Sequence, residues 1–372
     1  MDKKARVIAL YLPQFHPIPE NDAWWGRGFT EWTNVGKAKP LFPGHYQPKV
    51  PSDLGYYDLR VPETRIAQAE LAKEAGIEGF CYWHYWFGNG KRLLERPFNE
   101  VLESGSPDFP FCLGWANHSW KKKTWSVASD DKLLIEQKYP GDEDYKNHFN
   151  SILAAFKDKR YIRVDGKPIF LIWSPSEMPD SAHFIKLWKR LAAENGIGDI
   201  FFAAFSSSST NVNRYINDGY DAVVIDLLWE SFSNKRSWLR KLLYRVLRRL
   251  FSIPKLLKYN DYADYYLNNY LVSPEVVPCV FPNFDHSPRS REEGGVLTEA
   301  TPSNFEDLLT KLLDNMNDST QKHNLLFIKS WNEWGEGNYL EPDLKYGCGY
   351  LEAISKSLRI KSIPYLNCQD KN

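Results

Sequence analysis

Two glutamates, Glu333 and Glu336, stand three residues apart in the stretch WNEWGEG at positions 331–337. The glycines on either side of Glu336 allow the backbone to turn sharply there. Two carboxyl groups held close together among aromatic rings can have pKa values that are pushed apart, so that one is protonated while the other is ionised. Acid–base cleavage of a glycosidic bond needs that pair of states. The competing interpretation is that Trp331 and Trp334 are core residues and that both glutamates are solvated loop charges.

The apolar run before this stretch predicts a buried strand, and seven similar runs precede it, mostly alternating with segments of helical period. Continuous apolar strands are typical of a parallel sheet that is covered on both faces. Eight such units predict one (β/α)8 TIM-barrel domain over residues 1–372, with long βα loops. A doubly wound sheet is the alternative, but no GxGxxG motif follows the first strand. The predicted strands are residues 6–12, 79–86, 109–115, 168–173, 200–205, 222–225, 276–281 and 325–328.

Polar and aromatic side chains gather at the C-terminal ends of these strands, which in a TIM barrel converge on the active-site face. Alternation along a strand predicts that Tyr82, His84 and Trp86 share one face, which could line a sugar subsite. The alternative for His84 is a hydrogen-bonded core histidine. Asn117 and His118 suit sugar hydroxyls, or else cap the end of their strand.

We therefore expect the cavity at this face to contain both glutamates and a set of substrate-binding residues. Three of these come from a segment predicted as a loop at 14–60, which is unusually long and therefore a functional candidate. The candidate binding residues are His16, Glu31, Trp32, His84, Tyr85, Trp86, Asn117, His118, Asp285, Trp331, Asn332 and Trp334, and the candidate catalytic residues are Glu333 and Glu336.

The composition excludes some classes of protein. The formal net charge is zero, which argues against a nucleic-acid partner, and the aromatic content of 15% fits a carbohydrate binder or a large core. The histidines are scattered without an HExxH motif or a cysteine partner, and no P-loop is present, so the prediction is no metal and no cofactor. Five scattered cysteines indicate free thiols in a reducing compartment, and the N-terminus has no apolar run of signal length, so we expect a cytoplasmic protein.

A basic amphipathic insertion is predicted at 235–258, where nine basic residues and no acidic one occur. At 100° per residue the apolar and basic side chains fall mostly on opposite sides, as in helices that lie on anionic membranes. The segment predicts peripheral contact with the inner face of a membrane. A barrel helix with a solvated basic face is the alternative.

Four segments carry a resemblance to a known family. Residues 9–17 (ALYLPQFHP), 28–35 (GFTEWTNV), 76–82 (GIEGFCY) and 331–334 (WNEW) resemble the WbsX-like family of bacterial polysaccharide gene clusters, whose members are often described as glycosyltransferases. That family is similar in turn to the endo-α-mannosidases of glycoside hydrolase family 99, which are TIM barrels. The resemblance implies a retaining glycoside hydrolase or transglycosylase that acts on α-linked, possibly lipid-linked, glycans of a bacterial surface such as lipopolysaccharide O-antigen. A glycosyltransferase of O-antigen or capsule biosynthesis and a non-catalytic glycan-binding protein are the alternatives.

The resemblance also implies roles for the two glutamates. Matched by motif, Glu333 would take the proton of the sugar 2-hydroxyl, which then attacks the anomeric carbon to give a 1,2-anhydro sugar. Glu336 would act first as acid and then as base.

Overall fold

Eight parallel strands close into a barrel in the computed structural model, which describes residues 5–122, 131–234, 251–270, 272–317 and 322–360. Each strand pairs with the next one along the chain, and the last strand also pairs with the first. The described strands therefore form a closed sheet without a free edge. The strands are β1 (Arg6–Tyr11), β2 (Gly79–Trp86), β3 (Phe111–Trp115), β4 (Lys167–Ile172), β5 (Phe201–Ser206), β6 (Ala222–Ile225), β7 (Val276–Val280) and β8 (Leu325–Ile328).

The barrel prediction is confirmed, and each strand begins and ends within two residues of its predicted position. The reason is that the strands are buried over almost their whole length, as in β2, where all eight residues are buried. A strand that is covered on both faces leaves a continuous apolar run in the sequence, which is easy to find.

Helices surround the barrel, and several of them lie where the sequence predicted otherwise. Two short helices, Pro19–Trp25 and Glu31–Gly36, occur within the predicted loop at 14–60, and Tyr259–Asn269 was not predicted. Arg92–Leu93, predicted as the start of a helix, is a short strand that pairs with the end of β2. The other helices are Pro62–Glu74, Arg96–Ser104, Asp142–Lys157, Ser181–Glu194, Val212–Asn217, Leu228–Asn234, Ser287–Ser290, Pro302–Asn317 and Gly349–Ser357.

Short 3₁₀ turns and strand pairs complete the loops. The turns are Pro175–Glu177, Ser209–Asn211, Arg291–Glu293 and Trp334–Glu336. The short strands outside the barrel are Trp120–Lys122, Lys132–Ile135, Arg163–Val164, Lys255–Lys258, Gly295–Thr298, Asn332–Glu333 and Asn338–Tyr339.

The basic segment is only partly described. Its last four residues, Lys255–Lys258, form a strand that pairs in parallel with Gly295–Thr298, so the helical prediction is wrong there. Residues 235–250 lie outside the described residues. None of the described helices is long and apolar enough to cross a membrane.

The cysteine prediction needs one correction. Cys81, Cys112 and Cys279 are buried free thiols, but Cys348 is bonded in a disulfide. The argument from five free thiols to a reducing compartment therefore does not hold.

The close contact between the start of β2 and the residue before β3 can be tested by substitution. A Cβ added to Gly79 would lie 2.2 Å from the carbonyl oxygen of Pro110, whereas one added to Gly36 would meet no atom within 4 Å. We expect Gly79→Ala to lower the free energy of unfolding by about 1–3 kcal/mol through overpacking, and Gly36→Ala to leave it nearly unchanged. Urea unfolding followed by circular dichroism measures both. Equal stability of the two variants would contradict the close strand contact.

Candidate active site

A cavity of about 560 Å³ opens at the C-terminal ends of the strands. Aromatic rings form much of its wall, and several are in contact with one another: Tyr85 lies 5.2 Å from Trp120, and Trp83 lies 5.2 Å from Trp173, between ring centroids. Rings of this kind stack on the apolar faces of sugars, so the wall suits a carbohydrate. The aromatic lining residues are Trp25, Phe29, Trp83, Tyr85, Trp120 and Trp173.

The loop after β8 brings both candidate catalytic glutamates into this cavity. Its backbone forms a short strand pair and then a 3₁₀ turn over Trp334–Glu336. Gly337 has a φ of 54°, a left-handed conformation that glycine adopts readily. Gly335 serves a different purpose, because a Cβ there would fall 1.9 Å from Oε2 of Glu31. This glycine therefore permits a third carboxylate to approach the pair.

A single guanidinium, that of Arg289, joins the three carboxylates. Its Nε and Nη2 atoms each lie 3.2 Å from Oε2 of Glu31. Its Nη1 atom lies 3.5 Å from Oε1 of Glu333 and contacts Oε1 of Glu336 directly. Arginine suits this position, since its planar fork can bind several carboxylate oxygens at once. The two candidate catalytic groups are thus held against one cation.

The electrostatic environment pushes the two pKa values in opposite directions. Burial, followed by repulsion from Glu336, raises the pKa of Glu333 above its ordinary value. Burial alone would also raise the pKa of Glu336, but the charge of Arg289 and the nearby imidazole of His286, with Nε2 at 3.6 Å, outweigh it and hold that pKa well below its usual range. In the free protein Glu336 is the ionised member and Glu333 is the one that more readily holds a proton.

A further buried carboxyl group, that of Glu341, anchors the loop after β8. It accepts hydrogen bonds from Trp334 Nε1 at 2.6 Å, Gln68 Nε2 at 2.6 Å and the Tyr57 hydroxyl at 2.9 Å. Asn332 ties the same loop to the end of β1 through two hydrogen bonds with the backbone of Leu12. The glutamates therefore project from a loop that is anchored to the barrel on two sides.

Five of the fourteen predicted site residues line the cavity, and nine lie outside its lining. The five are Glu31, Tyr85, His118, Glu333 and Glu336. The nine are His16, Trp32, His84, Trp86, Asn117, Asp285, Trp331, Asn332 and Trp334.

The prediction for β2 chose the wrong face of the strand. His84 is buried, with its Nε2 atom 2.8 Å from Nε2 of His148, and the Trp86 indole donates a hydrogen bond to Asp144. His148 and Asp144 belong to the helix Asp142–Lys157, which lies outside the sheet. The neighbours Trp83 and Tyr85 face the cavity instead. Both faces of this strand are aromatic, so alternation separates them without showing which one faces inward.

The remaining residues support the site rather than line it. Asn117 exchanges two hydrogen bonds with the backbone of Ser174 and so acts as a strand-end cap. Asp285 accepts hydrogen bonds from His45 and Gln47 and borders a second cavity.

Two further outlying residues come from the predicted loop at 14–60. Nδ1 of His16 lies 3.1 Å from the carbonyl oxygen of Pro13. The Trp32 indole donates to the carbonyl of Tyr57 and packs on Trp334.

The competing interpretation of the loop after β8 is correct for its two tryptophans and wrong for Glu333. Trp331 and Trp334 are core residues, but Glu333 is only 7% exposed and is not a solvated loop charge.

Sequence reasoning missed several polar cavity residues, chiefly Arg289, Lys329 and Asn21. Lys329 directly follows β8, so a charge at the end of an apolar run was a signal that could have been used. Arg289 lies in the four-residue helix Ser287–Ser290 and leaves no pattern. Asn21 is fully buried and lines the cavity, and its side-chain amide has no hydrogen-bond partner among the described residues.

A barrel with paired carboxylates in an aromatic cavity at the ends of its strands is the arrangement of carbohydrate-active barrel proteins. The chain belongs to the WbsX glycosyltransferase family, because the model described as Glycosyltransferase WbsX matches residues 7–354. Family membership supports a carbohydrate-active enzyme.

Two proteins called WxcX, from two strains of Xanthomonas campestris pv. campestris, are 37% and 36% identical to this chain over 356 residues. These matches cover 95% of this chain and 50% of each relative. The chain thus spans about half the length of the curated relatives it matches.

Solved structures share the fold. The endo-α-mannosidase of glycoside hydrolase family 99 from Bacteroides thetaiotaomicron matches with a TM-score of 0.58 at 14% identity, over 96% of this chain and 97% of that one. A glycoside hydrolase-like protein matches with a TM-score of 0.61 at 14% identity, over 97% and 95% of the two chains. At this identity the likeness concerns the barrel architecture alone.

The buried Glu341 predicts a pH-dependent term in stability. Burial raises its pKa to about 7, in spite of the donors that favour its ionised form. Because the folded pKa is raised, the stabilisation is complete below the ordinary pKa and is lost as pH rises through about 7. We expect the free energy of unfolding of the unmodified protein, minus that of Glu341→Gln, to fall between pH 5 and pH 8 by up to about 1.4 kcal/mol per pH unit. Urea unfolding at each pH measures both free energies. A difference between the two proteins that stayed constant from pH 5 to pH 8 would contradict the raised pKa of Glu341.

Proposed function

We propose that the protein cleaves or transfers α-linked glycosyl units of a bacterial surface polysaccharide, as a retaining glycoside hydrolase or transglycosylase. The observation that carries this proposal is the pair Glu333 and Glu336, whose pKa values are shifted in opposite directions at one end of an aromatic cavity. Glycoside cleavage requires one carboxyl group that donates a proton and one that is ionised.

The separation of the two groups supports retention of anomeric configuration. Oε1 of Glu333 and Oε1 of Glu336 both approach Nη1 of Arg289, the first at 3.5 Å and the second more closely. The two oxygens therefore lie within about 6 Å of each other, nearer the ~5–5.5 Å of retaining enzymes than the ~6.5–9.5 Å that inverting enzymes need for a water molecule.

The acid and base roles can be assigned to Glu333 and Glu336 in two ways. The family resemblance gives Glu333 the role of base toward the sugar 2-hydroxyl and Glu336 the role of acid. The free protein favours the reverse, because Arg289 keeps Glu336 ionised and burial favours the protonated form of Glu333. For the first division to operate, a bound glycan would have to weaken the contact between Arg289 and Glu336.

A glycosyltransferase that uses an activated sugar is the second candidate, favoured by the cations Arg289 and Lys329 in the cavity, which could bind a phosphate. It is distinguished by its need for a nucleotide sugar. A lipid-linked substrate and membrane contact through residues 235–258 stay predictions, as does a non-catalytic glycan-binding role.

The first test is product analysis. Incubation with the surface polysaccharide of the organism that encodes the protein should give new reducing ends, and NMR should show that their anomeric configuration is initially retained. Release of product only when a nucleotide sugar is added would favour the transferase instead.

The second test assigns the two roles. We expect Glu333→Gln and Glu336→Gln each to lower the rate of cleavage by at least ~10²-fold, as is typical of losing a positioned acid or base. An aryl glycoside with a good leaving group should partly rescue whichever variant has lost the acid. Rescue of Glu336→Gln supports the division implied by the family, and rescue of Glu333→Gln supports the reverse.

Two controls complete this experiment. Glu143→Gln changes a carboxylate with 82% side-chain exposure on a surface helix and should leave the rate unchanged. A 2-deoxy substrate should resist the unmodified enzyme if the 2-hydroxyl is the internal nucleophile, and normal cleavage would exclude the anhydro sugar. Full activity in both Gln variants would remove the pair from catalysis.

A further inference from the structure

Lys329 projects into the cavity from the end of β8, and its ammonium has no polar partner in the part of the chain that the structure describes. The residue is only 9% exposed, yet it lines the cavity. Its ammonium lies 4.4 Å from the ring centroid of Trp173 and 5.3 Å from that of Phe281. Among the described residues it makes no hydrogen bond and no ion pair. An ammonium carries three hydrogen-bond donors, and leaving them unused in a buried place is costly.

The charge of Lys329 persists in this position. Burial alone would lower its pKa, but the more distant carboxylates of Glu336, Glu333 and Asp226 raise it. Those carboxylates are beyond ion-pair distance and do not satisfy the ammonium donors. The cation is held among aromatic rings with its donors free for a ligand.

The carboxylates nearby would not repel an anion strongly. Arg289 already pairs with Glu31 and Glu336 and approaches Glu333, so its positive charge offsets theirs. The lining contains three glutamates against four basic side chains. These basic residues are Lys37, Lys121, Arg289 and Lys329.

His118 provides a second group at the same place. It lines the cavity, and its buried Nδ1 atom has no hydrogen-bond partner among the described residues. Burial, followed by the charge of Lys329, lowers its pKa. Both side chains line the same cavity, so a ligand bound there can contact both of them.

We propose that Lys329, together with His118, forms an anion subsite, so that the protein takes a sugar unit carrying a negatively charged group. This inference rests on the proposed function, because it specifies the substrate class of the same cavity. The shared chemistry is a carboxylate or phosphate oxygen bound in the same cavity as the catalytic pair. The charge has two sources, an acidic sugar of the glycan or the diphosphate of an activated sugar.

Two matched pairs of probes test the subsite by binding alone. Methyl α-glucuronide and methyl α-glucoside differ only in a carboxylate against a hydroxymethyl group, and uridine diphosphate and uridine differ in the diphosphate. We expect the charged member of one pair to bind the full-length protein on the order of 10-fold or more tightly than its neutral partner, by isothermal titration calorimetry. Preference for the glucuronide identifies an acidic glycan, and preference for the diphosphate identifies an activated donor.

Variants test whether Lys329 causes the preference for the charged probe. Lys329→Met should abolish it and leave the affinity for the neutral probe nearly unchanged, whereas Lys329→Arg should keep it. Lys345→Met is the matched control, since Lys345 also lies over aromatic rings, those of Tyr46 and Tyr346, but borders the second cavity. It should bind like the unmodified protein.

The pKa of His118, followed by NMR, gives a readout that a purely structural lysine would not change. It should rise when the charged probe binds and should also rise in Lys329→Met. Equal affinity for the charged and neutral members of both pairs in the unmodified protein would overturn the proposal, whatever the variants do. A folded Lys329→Met protein that kept the preference would overturn it as well. Neither result depends on turnover, so failure of the catalytic proposal is seen separately in the cleavage assays.

Discussion

One guanidinium, that of Arg289, organises the cavity, because three carboxylates meet around it. Carboxylates at such short range repel one another, and a cation between them offsets that repulsion. Glu31 follows β1, Arg289 follows β7, and the pair Glu333 and Glu336 follows β8. The cluster therefore depends on barrel closure, which places β8 between β1 and β7 and brings Glu31 and Arg289, 258 positions apart in the sequence, into contact.

The sequence was most informative where one physical requirement dominated. Strands covered on both faces must be apolar throughout, so all eight could be found, and the fold followed from them. The loop after β8 was also found, because two carboxylates among tryptophans and glycines are unusual. Gly335 shows the limit of that reasoning: it was interpreted as a turn residue, whereas its main role is to leave room for Glu31, a long-range contact that local pattern cannot show.

Other features of the site could not be predicted from the sequence, for related reasons. Which side chains of β2 face the cavity depends on the orientation of the strand in the barrel, and both faces of the strand are aromatic. The short helices that carry Asn21 and Glu31 span only one or two turns, too few for a period to be visible. Their positions depend on tertiary contacts such as the packing of Trp32 on Trp334.

The order of residues after β8 explains why the cavity combines groups of such different character. Lys329 comes first, at the end of the strand and among aromatic rings. Glu333 follows, with a side chain 9% exposed, and Glu336 comes last, with a side chain 16% exposed and next to Arg289. The deeper carboxyl group has the raised pKa and the shallower one the depressed pKa, so depth and the single arginine together separate two chemically identical side chains. A hydroxyl of a neutral sugar can accept a hydrogen bond from the Lys329 ammonium, but a carboxylate or phosphate oxygen makes the stronger, charge-assisted bond. The ligand that best matches the aromatic wall, the carboxyl pair and this cation therefore carries a negative charge as well as a glycosidic bond.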